Sequence, residues 1–297
     1  MLSAIIQSMR PTQWTKNGVV LAGLIFSRHL LDWDLTIRAL GATLVFCVLS
    51  GSVYLINDIR DLEKDRAHPT KRERPLPSGK LSVRNAWIAA IVLAAGSLMA
   101  AFRLDTGFCT SAAAYFALVS AYSFGLKNVV IIDAFTIALG FVLRAVAGVQ
   151  AIALTGRVPI SPWLLVCTFL LATFLALAKR RQELYSLTQA GSDAGAHRAV
   201  LSEYTLPLVD QLTAIVCAST IVAYALYTFD ARTISTFGTP WLSVTIPFVM
   251  YGIFRYLYLV HRHHLGGNPE MILLNDRGIL ACVGLWIATA VTVIYGA

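Results

Sequence analysis

An all-α, polytopic membrane protein with nine transmembrane helices is the fold class this 297-residue chain predicts, and three observations predict it. Hydrophobic residues make up 57% of the chain and charged residues only 13%, at a mean hydropathy of +0.67, a balance foreign to soluble domains. Apolar runs long enough to cross a hydrocarbon core roughly 30 Å thick recur at 13–30, 36–56, 82–102, 107–126, 129–154, 161–178, 207–229, 240–260 and 278–296. The basic residues are distributed unevenly between the two sets of connecting loops.

Taken in order, the first run is the weakest, because Lys16 lies inside it. The N-terminus has no charged n-region, apolar h-region and cleavage site in succession, so no cleaved signal peptide is expected. With nine crossings, the loops on the N-terminal side carry seventeen Lys and Arg residues and the opposite loops five: Arg28, Arg38, Arg103, Arg157 and Arg232. The positive-inside rule places the N-terminus and the 57–81 and 179–206 loops in the cytoplasm. The expectation is a multi-pass protein of the inner (plasma) membrane with its site facing the cytoplasm, and residues 1–297 form one transmembrane domain. The formal charge of +8 is accounted for by this topology, so no nucleic-acid partner is implied. Cys47, Cys109, Cys167, Cys217 and Cys282 fall in different apolar runs without a CxxC pair, which suits buried filler better than metal or disulfide chemistry.

The second run ends in "NDIRDLEKDR", residues 57–66. In a helix turning about 100° per residue, Asn57, Asp61, Asp65 and Asp58 fall at roughly 0°, 40°, 80° and 100°. Asp61 and Asp65 are like charges at i,i+4, as are Arg60 and Lys64, where a helix built only for solubility would alternate signs. The missing positive charge must come from outside the helix. Asp58, Asp61 and Asp65 have no protein cations in register, so their carboxylates repel one another without metal, and Asp61→Asn or Asp65→Asn should abolish activity while metal-free stability holds or rises. The loop continues "AHPTKRERPLPSGKL", with Lys71, Arg72 and Arg74 between Pro69 and Pro75. Carboxylates suit Mg2+, which keeps waters and takes remaining ligands from phosphate, and adjacent basic side chains hold phosphate oxygens that the metal leaves free. The two halves together describe a metal–diphosphate site. Read as a solvated cytoplasmic loop, the same stretch explains its basic residues but not its clustered aspartates.

Other stretches carry charge where apolar residues are expected. Arg144 in "LGFVLRAVAG" lies at membrane depth, which costs a few kcal/mol or more without a partner or polar cavity; an anion in a cavity is the favoured counter-charge. Tyr122 and Lys127 in "YSFGLKN", with Asp133 nearby, mark a cytoplasmic junction, where Lys127 is equally well topogenic. Lys16 in "RPTQWTKN" is a candidate for a lipid phosphate, with Trp14 anchoring the same level. The 179–206 loop opens with "KRRQEL", offering Lys179, Arg180 and Glu183, and ends "LSEYT", offering Glu203 and Tyr204; Arg181 reads as a stop-transfer charge. "HRHH" at 261–264 makes a poor metal site, since the histidines of one turn do not converge on one ion.

Together these stretches resemble a known family. "NDIRDLEKDR" matches the NDxxDxxxD motif of the UbiA superfamily of intramembrane prenyltransferases. "RPTQWTKN", "AHPTKRERPLPSG", "YSFGLKN", "GFVLRAVAG" and "KRRQEL…LSEYT" are similar to one branch, the decaprenyl-phosphate phosphoribosyltransferases, over most of residues 10–205. The resemblance implies a UbiA-like bundle and Mg2+-dependent transfer of 5-phosphoribosyl from phosphoribosyl pyrophosphate to a polyprenyl phosphate at the lipid bilayer. It implies that Asn57, Asp58, Asp61 and Asp65 hold Mg2+, with the three aspartates catalytic. Lys179, Arg180 and Arg74 would bind donor phosphates, and Lys16, Lys127 and Arg144 the lipid phosphate. Lys71, Tyr122, Glu183 and Tyr204 complete the substrate-binding set. Aromatic prenyltransferases of the superfamily carry a second DxxxD motif, whereas this chain has only Glu183, Asp193 and Glu203 in that loop, a departure that favours the phosphorylated sugar donor. The alternatives are an aromatic prenyltransferase using a prenyl diphosphate, and a transporter, which leaves the acidic arc unexplained. The oligomeric state, a homo-oligomer included, is left open.

Overall fold

The computed structural model describes residues 1–68, 70–153, 160–189, 199–263, 265–267 and 269–296. Pro69, Arg157 and Asp193, named above, and His264 of the 261–264 stretch lie outside the described residues. The described residues contain helices and no strand, and they divide into two compact units, Met1–Ile160 and Ser161–Ala297.

In the first unit, α1 (Leu2–Ser8) is followed by a 3₁₀ segment (Pro11–Leu21), α2 (Ala22–Phe26), α3 (Trp33–Arg60), α4 (Leu62–Ala67), α5 (Val83–Leu104), α6 (Thr106–Phe124) and α7 (Ile132–Ile152). The second holds α8 (Pro162–Gln189), α9 (Leu206–Phe229), α10 (Ala231–Phe237), α11 (Ile246–Arg262), α12 (Pro269–Asn275) and α13 (Arg277–Tyr295). Local chemistry sets the starts: Asp32, Ser82, Asp105, Thr205 and Asp276 each accept a backbone N–H from three residues on, as N-caps do.

Eight of these segments are long and apolar enough to span a membrane: α3, α5, α6, α7, α8, α9, Trp241–Arg262 and α13. The chain is a multi-pass membrane protein. The run expected as the first of nine, 13–30, is instead the 3₁₀ segment plus five α-helical residues. Thr12, Thr15, Asn17 and Gly18 are poor α-helix formers, and a 3₁₀ rise of about 2 Å per residue gives eleven residues a reach of roughly 22 Å. The 3₁₀ period of three also stacks Trp14, Asn17 and Val20 on one ridge. Val20 is fully buried in a cluster with Phe46, Leu49, Phe108, Tyr115 and Ala147.

That ridge seats on α7 at a glycine. A Cβ built on Gly148 would lie 1.9 Å from the carbonyl oxygen of Val20, so the backbones touch where only glycine fits, the way small residues bring membrane helices together. Gly148→Ala should therefore cost on the order of 1–3 kcal/mol or more, the usual cost of overpacking, read as an earlier melt of the purified protein in detergent. A melt at the wild-type temperature would show that the 3₁₀ segment yields freely.

Two arginines tie helix ends. Arg38 of α3 donates to the carbonyls of Ala151 (3.2 Å) and Leu104 (2.7 Å), at the C-terminal ends of α7 and α5, satisfying acceptors that have no intrahelical donor. Arg255 of α11 bonds both oxygens of Asp276, at 3.2 and 2.8 Å. These bonds hold the Asp276 carboxyl below the usual carboxylate range, while Asp276 also caps α13.

Candidate active site

The carboxylate cluster forms where α3 runs out. Asp61 interrupts the helix with φ −96° and ψ 9°, yet Asp61 N–H still donates to Asn57 (2.9 Å) and Asp65 N–H to Asp61 (2.8 Å). The helical register survives the junction, but no single basic residue pairs with all three carboxylates. Asp58 and Asp65, seven residues apart, face the same way and are 1% and 3% exposed. Asp61 turns instead to Lys127, whose Nζ lies 2.5 Å from Oδ1. Asn57 is half-buried and makes no side-chain hydrogen bond to a described residue.

Arg74 unites the other two carboxylates. Its Nη1 lies 2.6 Å from Asp65 Oδ2 and 3.4 Å from Asp58 Oδ1, while Lys71 Nζ stands 3.9 Å from Asp65 Oδ1. The loop returns these residues because its far side is anchored in apolar packing. Leu76 and Leu81 are buried against Leu55, Ile56, Ala86 and Ala90, and the turn is tied by Ser78 N–H to Arg74 and Leu81 N–H to Pro75.

Arg10, counted in the sequence only as a topogenic charge, completes the cluster. Its Nη2 contacts Asp58 Oδ1, and its guanidinium lies 4.8 Å from the centroid of the Tyr54 ring. Its backbone is left-handed, φ 53° and ψ 68°, a conformation costing a non-glycine residue on the order of 1–3 kcal/mol. A second strained residue follows Lys127: Ile131 has φ 68° and ψ −45°, and Ile132 N–H donates to Val130 at 2.8 Å. This is a tight γ-turn, rare for a β-branched residue, and it launches α7 with Asp133 fully buried. Tyr122, near the end of α6, is half-buried.

The premise that these carboxylates have no protein cation to pair with is overturned. Every one of the three has a cation supplied by another segment of the same unit. The donor set nonetheless fits Mg2+. The ligands are all oxygen, and one guanidinium nitrogen, Arg74 Nη1, reaches both Asp58 and Asp65, so these carboxylates stand close enough to share one positive charge. Among the described residues no group of three His, Cys, Asp or Glu could hold a metal ion, so an ion here would need water and phosphate to fill its shell.

Arg144 lies elsewhere in the unit. It is 6% exposed, and its Nε donates to Asn17 Oδ1 (2.8 Å) and its Nη2 to Tyr115 Oη (2.7 Å). The rings of Tyr115 and Phe141 lie 4.6 and 4.9 Å from the guanidinium carbon. Asn17 also donates to Ser50, 3.2 Å away. Ser50 is eight residues before Asp58 on α3, so this network lies roughly 12 Å beneath the carboxylates. No carboxylate among the described residues pairs with Arg144. Lys16, next to Asn17, points to Gln13 Oε1.

In the second unit, α8 does not stop at 178 but continues to Gln189, so the basic cluster lies inside a helix. Arg180 is 1% exposed and pairs with Glu183, Lys179 is half-buried beside it, and Tyr204 is buried after a short 3₁₀ turn. Arg181 pairs with Asp210 of α9 at 2.6 Å, which makes it an interhelical tie rather than a bare stop-transfer charge. His261 Nε2 approaches the same oxygen at 3.5 Å.

The signature of the UbiA prenyltransferase family spans residues 18–271. The chain is 34% identical over 306 residues to the decaprenyl-phosphate phosphoribosyltransferase of Mycolicibacterium smegmatis, covering 99% of this chain and 93% of the relative. It is 32% identical over 301 residues to the protein of that name from Corynebacterium glutamicum, covering 98% of this chain and 86% of the relative. Among solved structures it resembles a UbiA homologue from Archaeoglobus fulgidus bound to GPP and Mg2+, with a TM-score of 0.72 at 20% identity over 98% of this chain and 99% of the other.

Proposed function

The chain belongs to the UbiA prenyltransferase family, and from that premise we propose that it transfers 5-phosphoribosyl from phosphoribosyl pyrophosphate to a polyprenyl phosphate, releasing pyrophosphate. The observation that carries this reading is likeness over nearly the whole chain to a decaprenyl-phosphate phosphoribosyltransferase. The absence of a second paired-aspartate motif in the 179–206 loop supports a sugar-phosphate donor over a prenyl diphosphate.

In the reaction a C1–O bond forms to the lipid phosphate and the C1–O bond to pyrophosphate breaks, with oxocarbenium-like charge at C1 as in other glycosyl transfers. The nucleophile is already an anion, so no side chain has to take a proton. Asp58 and Asp65, with Asp61 and Asn57, would hold Mg2+. When bound, that ion neutralises charge on the leaving pyrophosphate. Arg74, Lys71, Lys179 and Arg180 bind donor phosphates, with Glu183 orienting Arg180. Tyr122 and Tyr204 take part in substrate binding. Lys16, Lys127 and Arg144 are assigned to the lipid phosphate. The bilayer supplies the acceptor, and the site is assigned to the cytoplasmic face of the plasma membrane, a reading the positive-inside count supports.

The test is incubation of the purified protein in nanodiscs with labelled phosphoribosyl pyrophosphate, polyprenyl phosphate and Mg2+. A labelled lipid product that disappears in excess EDTA supports the proposal. Transfer only from a prenyl diphosphate would replace it with the aromatic prenyltransferase reading. Flux of phosphate esters into proteoliposomes without product would indicate transport.

The residue assignment has its own test. A charge-assisted phosphate contact contributes on the order of 1.5–3 kcal/mol, or roughly ten- to a hundredfold. Lys179→Ala should raise KM for phosphoribosyl pyrophosphate by about that factor and leave KM for polyprenyl phosphate nearly unchanged. The reverse pattern would exchange the two phosphate assignments.

A further inference from the structure

Resting on that reading, we propose that Arg10 is a further diphosphate-binding residue, held on Asp58 in the empty site and passed to the diphosphate when metal loads, so that metal and diphosphate binding depend on each other. Asp58 is 1% exposed, and two guanidinium groups, Arg10 and Arg74, lie on its Oδ1. A divalent ion taking that oxygen would compete with both. Arg74 keeps Asp65, its nearer partner, but among the described residues Arg10 has no second carboxylate, because Asp65 already holds Arg74 and Lys71 and Asp61 already holds Lys127. A free metal ion would therefore exchange one counter-charge for another and leave Arg10 facing it unpaired.

A diphosphate changes that balance. Four basic groups, Arg10, Lys71, Arg74 and Lys127, stand against three carboxylates, so the cluster as built lacks negative charge rather than positive. Oxygen atoms of a diphosphate accept from the guanidinium that the metal dislodges, and the metal occupies the carboxylate left behind. Each ligand supplies what the other's binding leaves unpaired, which is positive coupling.

Arg10 is placed for this exchange in a way that a charge retained only for topology is not. Its left-handed backbone and its stacking on Tyr54 aim the side chain at Asp58, and about a quarter of that side chain remains exposed, against 2% for the aspartate. The side chain is thus not sealed off from an incoming anion.

The test separates the two ligands. Mn2+, which accepts the same oxygen ligands, is titrated alone and followed by its paramagnetic resonance signal in wild-type protein, Arg10→Gln and Arg10→Lys. Pyrophosphate is then titrated by calorimetry in saturating Mg2+. Arg10→Gln is expected to bind Mn2+ alone about 5- to 150-fold more tightly and Mg2+-pyrophosphate more weakly, with Arg10→Lys between. Tyr54→Leu removes the ring beneath the guanidinium and leaves every charge, so it keeps the test available if Arg10→Gln fails to fold; it shifts both constants the same way by smaller factors. Both constants weakening together, or neither moving, overturns the proposal. These readouts need no transfer activity, so the exchange stands or falls separately from the identity of the diphosphate-bearing donor.

Discussion

Asp58→Asn is expected to abolish transfer and also to lower the melting temperature of the metal-free protein. Loss of a group stabilising charge at the reacting phosphate costs on the order of 10²–10³ in turnover. The stability effect arises in the empty protein. Asp58 is nearly inaccessible and carries both Arg10 and Arg74, and removing its charge leaves those two guanidinium groups without their strongest shared acceptor. Breaking a fully buried pair costs about 3–5 kcal/mol. Arg10 and Arg74 keep 26% and 30% of their side chains exposed, so water compensates in part and about 1–3 kcal/mol is the expected loss. Circular dichroism melts in detergent with EDTA, beside the lipid-transfer assay, measure both. A metal-free melt equal to or above wild type would mean that carboxylate repulsion dominates after all.

That sign is the opposite of what the acidic arc suggests when read alone, and the reason shows what a sequence can and cannot reveal here. The arc is local. Asn57, Asp58, Asp61 and Asp65 follow one another within nine residues, so helical spacing predicts their shared flank from first principles. Their counter-charges are not local: Arg10 lies 48 residues from Asp58 and Lys127 lies 66 residues from Asp61. In a chain with seventeen basic residues on one set of loops, nothing in a single sequence separates a partner from a topogenic charge. The proline after Arg10 hints at a fixed backbone, but the left-handed turn that aims the side chain is visible only in three dimensions.

The helices themselves were largely legible because membrane spans are set by length and apolarity, which are local properties. The exceptions have physical causes. The segment at 11–26 contains residues that resist the α-helix, and it gains its place from the contact of Val20 with Gly148, which no periodicity reports. On α8, the charges at 179–183 look like the end of a span. The helix continues because Arg180 is neutralised by Glu183 three residues on and Arg181 by Asp210 on the next helix, pairings that let a charged turn stay helical and buried.

Arg144→Gln is expected to lower turnover by about 10²–10³ while leaving thermal stability at or near the wild-type value. Its neighbourhood argues against a purely structural role. A cation at this depth costs a few kcal/mol or more, and a structural arginine would recover that from a carboxylate, as Arg255 does from Asp276 and Arg181 from Asp210. Among the described residues Arg144 has only neutral acceptors, Asn17 and Tyr115, and two aromatic faces. Glutamine keeps an N–H donor for one of those acceptors and removes the buried charge, so the lost hydrogen bond, worth about 1–3 kcal/mol, is offset by the cost of burying the cation. A positive charge kept where it stabilises the fold little is instead available to an anion, and the lipid phosphate is the anion this reaction brings into the membrane. Turnover and the melting temperature of Arg144→Gln and Arg144→Lys are the measurements. Activity lost at constant stability, with partial recovery in the lysine variant, is the expected result. Stability and activity falling together in both variants would make the Asn17–Arg144–Tyr115 network a structural strut and move the lipid phosphate site to Lys16 and Lys127.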